Sequence, residues 1–219
     1  MSHLGKADWT DSDRIQSMID SYSERYGKDF WEPFIELLGS KESRIVADFG
    51  CGPGLFLKDA IIQLNAEEVH GFDASRQMLK TASKILRESA ENRKLAILLR
   101  TIDFDTDPID IESESLDLAF SGYMLHEVVN PLEFARQIYK TMKSRGSYAV
   151  FDFISGNQEA FIVAMTERGM PEERARKRYP HMCKHSIEDI IGILNDAGFS
   201  VTESKRIGDF RALVLGTRE

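Results

Sequence analysis

Short apolar runs of strand length alternate along this chain with longer stretches of helical periodicity. Met18 to Tyr26 and Phe30 to Leu38 read as two N-terminal helices whose aromatics cover an apolar surface. Arg44 to Phe49 is a buried strand running into Gly50-Cys51-Gly52-Pro53-Gly54, and Leu55 to Leu64 is the helix that follows. Val69 to Asp73 is a second strand, and Ser75 caps a helix from Arg76 to about Ser89. Leu95 to Arg100 and Leu116 to Phe120 are the third and fourth strands. Asn130-Pro131 opens a helix with a capping side chain, a proline at the first helical position and Glu133 in the first turn; it ends near Lys143–Gly146. Tyr148 to Ile154 is a fifth strand. Ser186 to Asp189 fits a capping box before a helix over Ile187 to Ala197, stopped by Gly198. Val201 to Ile207 and Phe210 to Gly216 then predict an antiparallel hairpin across Gly208-Asp209.

This order predicts an α/β fold: a doubly wound, mostly parallel seven-stranded sheet with helices on both faces and an antiparallel C-terminal hairpin. A chain of 219 residues, 42% hydrophobic and 29% charged, fits one globular domain spanning 1–219, with residues 1–40 as a helical cap. Lys and Arg number 28 against 36 Asp and Glu, a formal charge of −8, which argues against a nucleic-acid or anionic-membrane partner. Met1 to Thr10 is polar, no apolar run is long enough to span a bilayer, and two cysteines imply no disulfide framework. The expectation is a cytoplasmic protein, monomeric or homodimeric.

The stretch Asp48-Phe49-Gly50-Cys51-Gly52-Pro53-Gly54 carries the most chemistry. Glycines let a backbone turn sharply and approach a ligand, and the following helix offers unpaired N–H groups. Asp73 ends the next strand, where a carboxylate can accept from both hydroxyls of a ribose. The spacing is G-x-G-x-G and not the G-x-G-x-x-G of dinucleotide sites, and Asp48 before it would oppose a pyrophosphate. A zwitterionic or sulfonium ligand suits that charge better.

These residues resemble the first motif of class I S-adenosylmethionine-dependent methyltransferases, and the chain is similar to their small-molecule branch, which includes the ubiquinone and menaquinone biosynthesis methyltransferases. The likeness runs from about Arg44 to Ile154 and more loosely to the hairpin. It implies S-adenosylmethionine as cofactor and S-adenosylhomocysteine as product. By the same resemblance, Gly50, Gly52 and Gly54 line the methionine and ribose, and Asp48 orients the loop and the amino group. Asp73 holds the ribose, Ala74 and Met78 flank the adenine, and Asp103 and Phe104 meet its edge. Ser121 offers a carbonyl near the amino group, and Tyr26 (or Tyr22) reaches the carboxylate from the cap.

Methyl transfer from a sulfonium is an in-line displacement that needs alignment and a dry site, and a base only where the acceptor arrives protonated. Tyr123 and His126 border the expected methyl position and are the catalytic and acceptor-binding candidates, His126 being read as a brace for its loop ahead of a base. The segment 155–185 stands where relatives carry an acceptor-covering insertion. It offers His181 and His185 to the acceptor and a basic run from Arg174 to Arg178. His181, Cys183 and His185 alternate without a fourth ligand, so no metal is expected. The acceptor is expected to be a small molecule. The readings set against this one are a non-catalytic S-adenosylmethionine-binding module or partner-dependent subunit and, less well supported by the glycine spacing, a nicotinamide oxidoreductase.

Overall fold

A computed structural model describes residues 12–39, 43–90 and 94–219. The polar stretch Met1 to Thr10 and the start of the expected cap lie outside the described residues.

One sheet organises the molecule, in the order β3-β2-β1-β4-β5-β7-β6. The strands are β1 (Ile45–Phe49), β2 (Glu68–Asp73), β3 (Ala96–Thr101), β4 (Leu116–Gly122), β5 (Met142–Phe153), β6 (Ser200–Arg206) and β7 (Arg211–Thr217). β1 to β5 run parallel, and β7 lies antiparallel between β5 and β6. The mixed seven-stranded sheet expected from the sequence is present. The chain leaves β1 toward β2 on one side, while β4 pairs with β1 on the other. The connections therefore diverge at the carboxyl ends of β1 and β4 and open a crevice there, which is where such sheets place ligands.

Successive strand residues face opposite sides, and both sides are buried. Ala47, Phe49, Phe72 and Ala119 join a core beneath α6 (Pro131–Thr141) and α9 (Ile187–Ala197), with Phe134, Ile138 and Leu194. Val46, Val69, Leu118 and Phe120 join a second core with Phe56 and Leu57 of α4 (Leu55–Gln63) and Phe30, Trp31 and Phe34 of α3 (Lys28–Leu38). Phe120 stacks on Phe56 at 3.7 Å between ring centroids. Each such fully buried ring is worth roughly 1.5–3 kcal/mol.

The caps form as the sequence predicts. Ser75 accepts from the Met78 N–H at the start of α5 (Arg76–Ser89), Asn130 from Glu133 N–H, and Ser186 and Asp189 make a reciprocal capping box. Three features differ from expectation. The first predicted helix is divided into α1 (Ser12–Asp20) and α2 (Tyr22–Arg25), with α3 starting after Gly27. β5 begins at Met142, directly after α6, because Leu116 pairs with Met142 across a bulge and Arg145 N–H donates to Arg218 O. The link in the hairpin is longer than Gly208-Asp209. Ile207 and Phe210 leave the ladder as well, and both are buried.

The segment after β5 folds into α7 (Gln158–Glu167) and α8 (Glu172–Met182), which close a third small core around Phe153, Phe161, Met165 and Phe210. Its basic run lies on the outer side, with Arg176 paired to Glu159 and Glu172. Among the described residues no helix is long and apolar enough to cross a membrane.

Candidate active site

The crevice at the ends of β1 and β4 is a cavity roofed by α1 and α2. Tyr22, Arg25, Tyr26, Asp48, Gly50, Gly52, Asp73, Ala74, Met78, Phe104, Tyr123 and Glu127 all line it. Glycine loop, acidic strand tip and N-terminal helices therefore meet at one place, although they are far apart in sequence.

The loop after β1 is held by β2. Gly50 and Cys51 N–H both donate to Phe72 O at 2.8 and 2.9 Å, and Gly52 N–H donates to Asp73 Oδ2 at 2.8 Å. Asp73 Oδ1 accepts from Ser75 N–H at 2.8 Å, so one carboxylate ties the loop to the start of α5 and still faces the cavity. Gly50 sits at φ 90°, and a Cβ there would lie 3.0 Å from Met124 Sδ. That close approach leaves backbone as the wall of the cavity. Gly54 has a different task. It caps α4 at φ 79°, does not line the cavity, and its missing Cβ admits Ala82, whose Cβ would stand 2.9 Å away.

Three polar atoms around the cleft are buried with no hydrogen-bond partner among the described residues: Asp48 Oδ1, Arg25 Nε and Asp103 Oδ2. Such atoms are costly unless a ligand or water satisfies them. Burial, reinforced by Asp73, raises the Asp48 carboxyl well above the usual range. Arg25 also donates from Nη2 to Met18 O at 2.6 Å. Cation and acid thus stand on the same cavity with atoms to spare. The sequence gives Arg25 no distinguishing mark beside Tyr22 and Tyr26. Tyr22 is already engaged, donating to Asp59 Oδ2 at 2.8 Å, whereas Tyr26 packs against Phe120 and Tyr123.

Other expected residues lie at varied distances from the cavity. Ala74, Met78 and Phe104 line it, but Asp103 is buried beside it, bonded by Asp105 N–H. Ser121 is fully buried and shares a hydrogen bond with Tyr148 Oη at 2.8 Å. Tyr123 follows β4 in a left-handed conformation, φ 56°, which is strained for a residue with a bulky side chain. Its N–H donates to Phe151 O, and Arg211 donates to its hydroxyl at 3.3 Å. Burial raises the Tyr123 phenol despite Arg211, so the ring is a neutral wall.

His126 lies beneath the lining, 5% exposed. Its ring Nδ1 is 2.6 Å from Asp152 Oδ1, and its backbone N–H donates to Asp152 Oδ2 at 3.0 Å. Burial lowers the imidazole, but Asp152 and then Glu127 outweigh it and leave the ring at about 9. Glu127 is the acid that reaches the cavity there, and its sequence context gives no sign of it. His181 meets Glu127 at 3.4 Å, while His185 sits apart, its N–H-bearing neighbour Ser155 donating to its carbonyl at 2.7 Å. Neither His181 nor His185 lines the cavity. Cys51 and Cys183 are both buried and free.

Residues 47–150 match the family described as "Methyltransferase domain". Just under half of the chain is thus similar to a methyltransferase domain. The match runs from within β1 to within β5, the parallel part of the sheet, which builds the crevice. The chain is 28% identical over 143 residues to a malonyl-[acyl-carrier protein] O-methyltransferase of Marinomonas sp. (strain MWYL1), covering 65% of this chain and 50% of that protein. It is 27% identical over 122 residues to a chloroplastic 2-phytyl-1,4-beta-naphthoquinone methyltransferase of Arabidopsis thaliana, covering 55% and 46%. The chain thus spans about half the length of the curated relatives it matches. The fold of the methyltransferase domain is shared with a SAM dependent methyltransferase from Aquifex aeolicus, with a TM-score of 0.69 at 19% identity over 95% of this chain and 99% of that one.

Proposed function

We propose that this protein transfers a methyl group from S-adenosylmethionine to a small-molecule acceptor. The observation that carries the reading is the pairing of unsatisfied Asp48 and Arg25 atoms across one cavity with the Gly50–Gly52 wall and Asp73. An amino acid zwitterion needs an anion and a cation in that arrangement, and a nucleoside needs the acid at the strand tip. Asp48 would meet the ammonium, Arg25 the carboxylate, and Asp73 the ribose hydroxyls. Ala74, Met78 and Phe104 would enclose the adenine, with Asp103 behind them, and Tyr26 would close the methionine end.

The bound cofactor supplies an activated methyl group, so the chain's work is alignment and exclusion of water. Tyr123 and Glu127 stand at the acceptor end; His126, locked by Asp152, positions that wall. The name of one curated relative, the 2-phytyl-1,4-beta-naphthoquinone methyltransferase, supports a small acceptor, whereas the other names an acyl group on a carrier protein. Incubation with methyl-tritiated S-adenosylmethionine and small phenols, thiols, amines and carboxylic acids tests the reading. Label should move to one class, and cofactor binding without transfer to any would favour a non-catalytic binding module instead.

Two results are expected from the charged pair. Arg25→Met should raise the Kd for S-adenosylmethionine about tenfold, the loss of one charge-assisted hydrogen bond. It should leave binding of 5′-methylthioadenosine, which has no carboxylate, unchanged. Asp48 favours its neutral form in the free protein, and an ammonium beside it favours the anion. Cofactor binding should therefore release a proton at pH values below the raised Asp48 pKa, and affinity should rise with pH through that window. Calorimetry in phosphate and in Tris reads this as a buffer-dependent enthalpy; identical enthalpies would remove Asp48 from the ammonium.

A further inference from the structure

Behind the acceptor end, the topology gathers three metal-binding side chains from two distant segments. His126 and Glu127 follow β4, and His181 stands in the last turn of α8. One ligand atom from each lies within 4.8 Å of the others. Nothing in the sequence separates this set from chance, because the alternation of His181, Cys183 and His185 draws attention to the wrong neighbours.

The orientation of His126 is set from behind. Asp152, 1% exposed, accepts from the His126 backbone N–H at 3.0 Å and the Phe153 N–H at 2.7 Å, and its Oδ1 is 2.6 Å from the ring Nδ1. Three donors converge on one buried carboxylate, which fixes the orientation of the ring. Nε2 then points the other way, toward Glu127. A carboxylate on the far nitrogen is the partner that metal-binding histidines usually carry.

The spacing of the donors is compatible with coordination, the three ligand atoms lying within 4.8 Å of one another. His126 Nε2 is 3.5 Å from Glu127 Oε1, and His181 Nε2 is 3.4 Å from Glu127 Oε2. Charge-assisted N–H to carboxylate bonds close to about 2.7–2.9 Å. Ligands at about 2.0–2.1 Å from a tetrahedral zinc stand about 3.4 Å from one another. We infer that His126 Nε2, the Glu127 carboxylate and His181 Nε2 form a binding site for a single zinc-like divalent cation, with Asp152 as the outer partner of His126. Two imidazoles and one carboxylate are the donor set of zinc sites that keep a fourth position open. The His181 side chain is 51% exposed, so the site has an entry path, and Glu127 carries it to the edge of the cavity.

The site is tested on the full chain, stripped of metal with a chelator and titrated with Zn²⁺ by calorimetry and with Co²⁺ by visible absorption. One equivalent of each should bind, and Co²⁺ should give the intense bands of a tetrahedral centre. His181→Ala and Glu127→Gln should each weaken Zn²⁺ binding at least tenfold, and His185→Ala should leave it unchanged. Asp152→Asn should weaken it about tenfold to a hundredfold. Thermal melts of each variant establish that it is folded, and His181→Ala alters only a half-exposed side chain. Absence of stoichiometric binding overturns the inference. So does wild-type Zn²⁺ affinity in both His181→Ala and Glu127→Gln. Neither outcome bears on cofactor binding, which is measured separately on the same samples.

Discussion

Asp73→Ala is expected to weaken S-adenosylmethionine binding by at least about 1.5 kcal/mol, a tenfold or larger rise in Kd. Two losses combine. The ribose hydroxyls lose a charged acceptor, and Gly52 and Ser75 lose the oxygen atoms that hold their N–H groups at 2.8 Å. The second loss loosens the loop against α5, so the variant should suffer more than a simple contact deletion. Asp73→Asn separates the two, since its side-chain oxygen can still accept from one of these N–H groups. It should recover part of the affinity. Titration calorimetry checks both, and wild-type affinity in Asp73→Ala would remove this residue from the site.

Gly54→Val is expected to destabilise the fold by about 3 kcal/mol, the combined cost of overpacking and a branched residue in a left-handed conformation. At φ 79° the new Cβ would press on Ala82 Cβ at 2.9 Å and Cα at 3.2 Å, and neither can swing aside because both belong to the body of α5. For a domain of this size that loss lowers Tm by roughly 6–12 °C. Gly52→Ala provides the contrast. Its Cβ would meet only Met18 Cε at 3.5 Å, so the penalty is confined to the backbone at φ 51°. Melting curves followed by circular dichroism should rank Gly54→Val well below Gly52→Ala. Equal Tm values would contradict the division of labour between the glycines.

That division shows what the sequence reveals and what it conceals. The loop was legible because glycines after a buried strand have few uses, and the strand–helix alternation gave the sheet, its caps and the antiparallel ending. Which glycine faces a ligand and which faces a helix was not legible, because Ala82 is distant in sequence and adjacent only in space. Arg25 was passed over for the same reason. An arginine in a polar N-terminal helix looks solvated until α2 is laid across the crevice and buries its Nε. Glu127 and Asp152 look like ordinary acids on a loop and a strand. Only the pairing of β4 with β5, Gly122 beside Phe151, brings Asp152 under His126. The hairpin link was misjudged because Gly208-Asp209 has turn chemistry, while burial of Ile207 and Phe210 decides where the ladder stops.

Recognition of a sulfonium amino acid nucleoside by Asp48, Arg25 and Asp73 is the central claim. Equilibrium dialysis of the purified, folded chain against S-adenosylmethionine and S-adenosylhomocysteine addresses this most directly. The prediction is one saturable site per chain for both compounds, weakened in Asp73→Ala. A folded protein that retains neither compound above the dialysis background would contradict it.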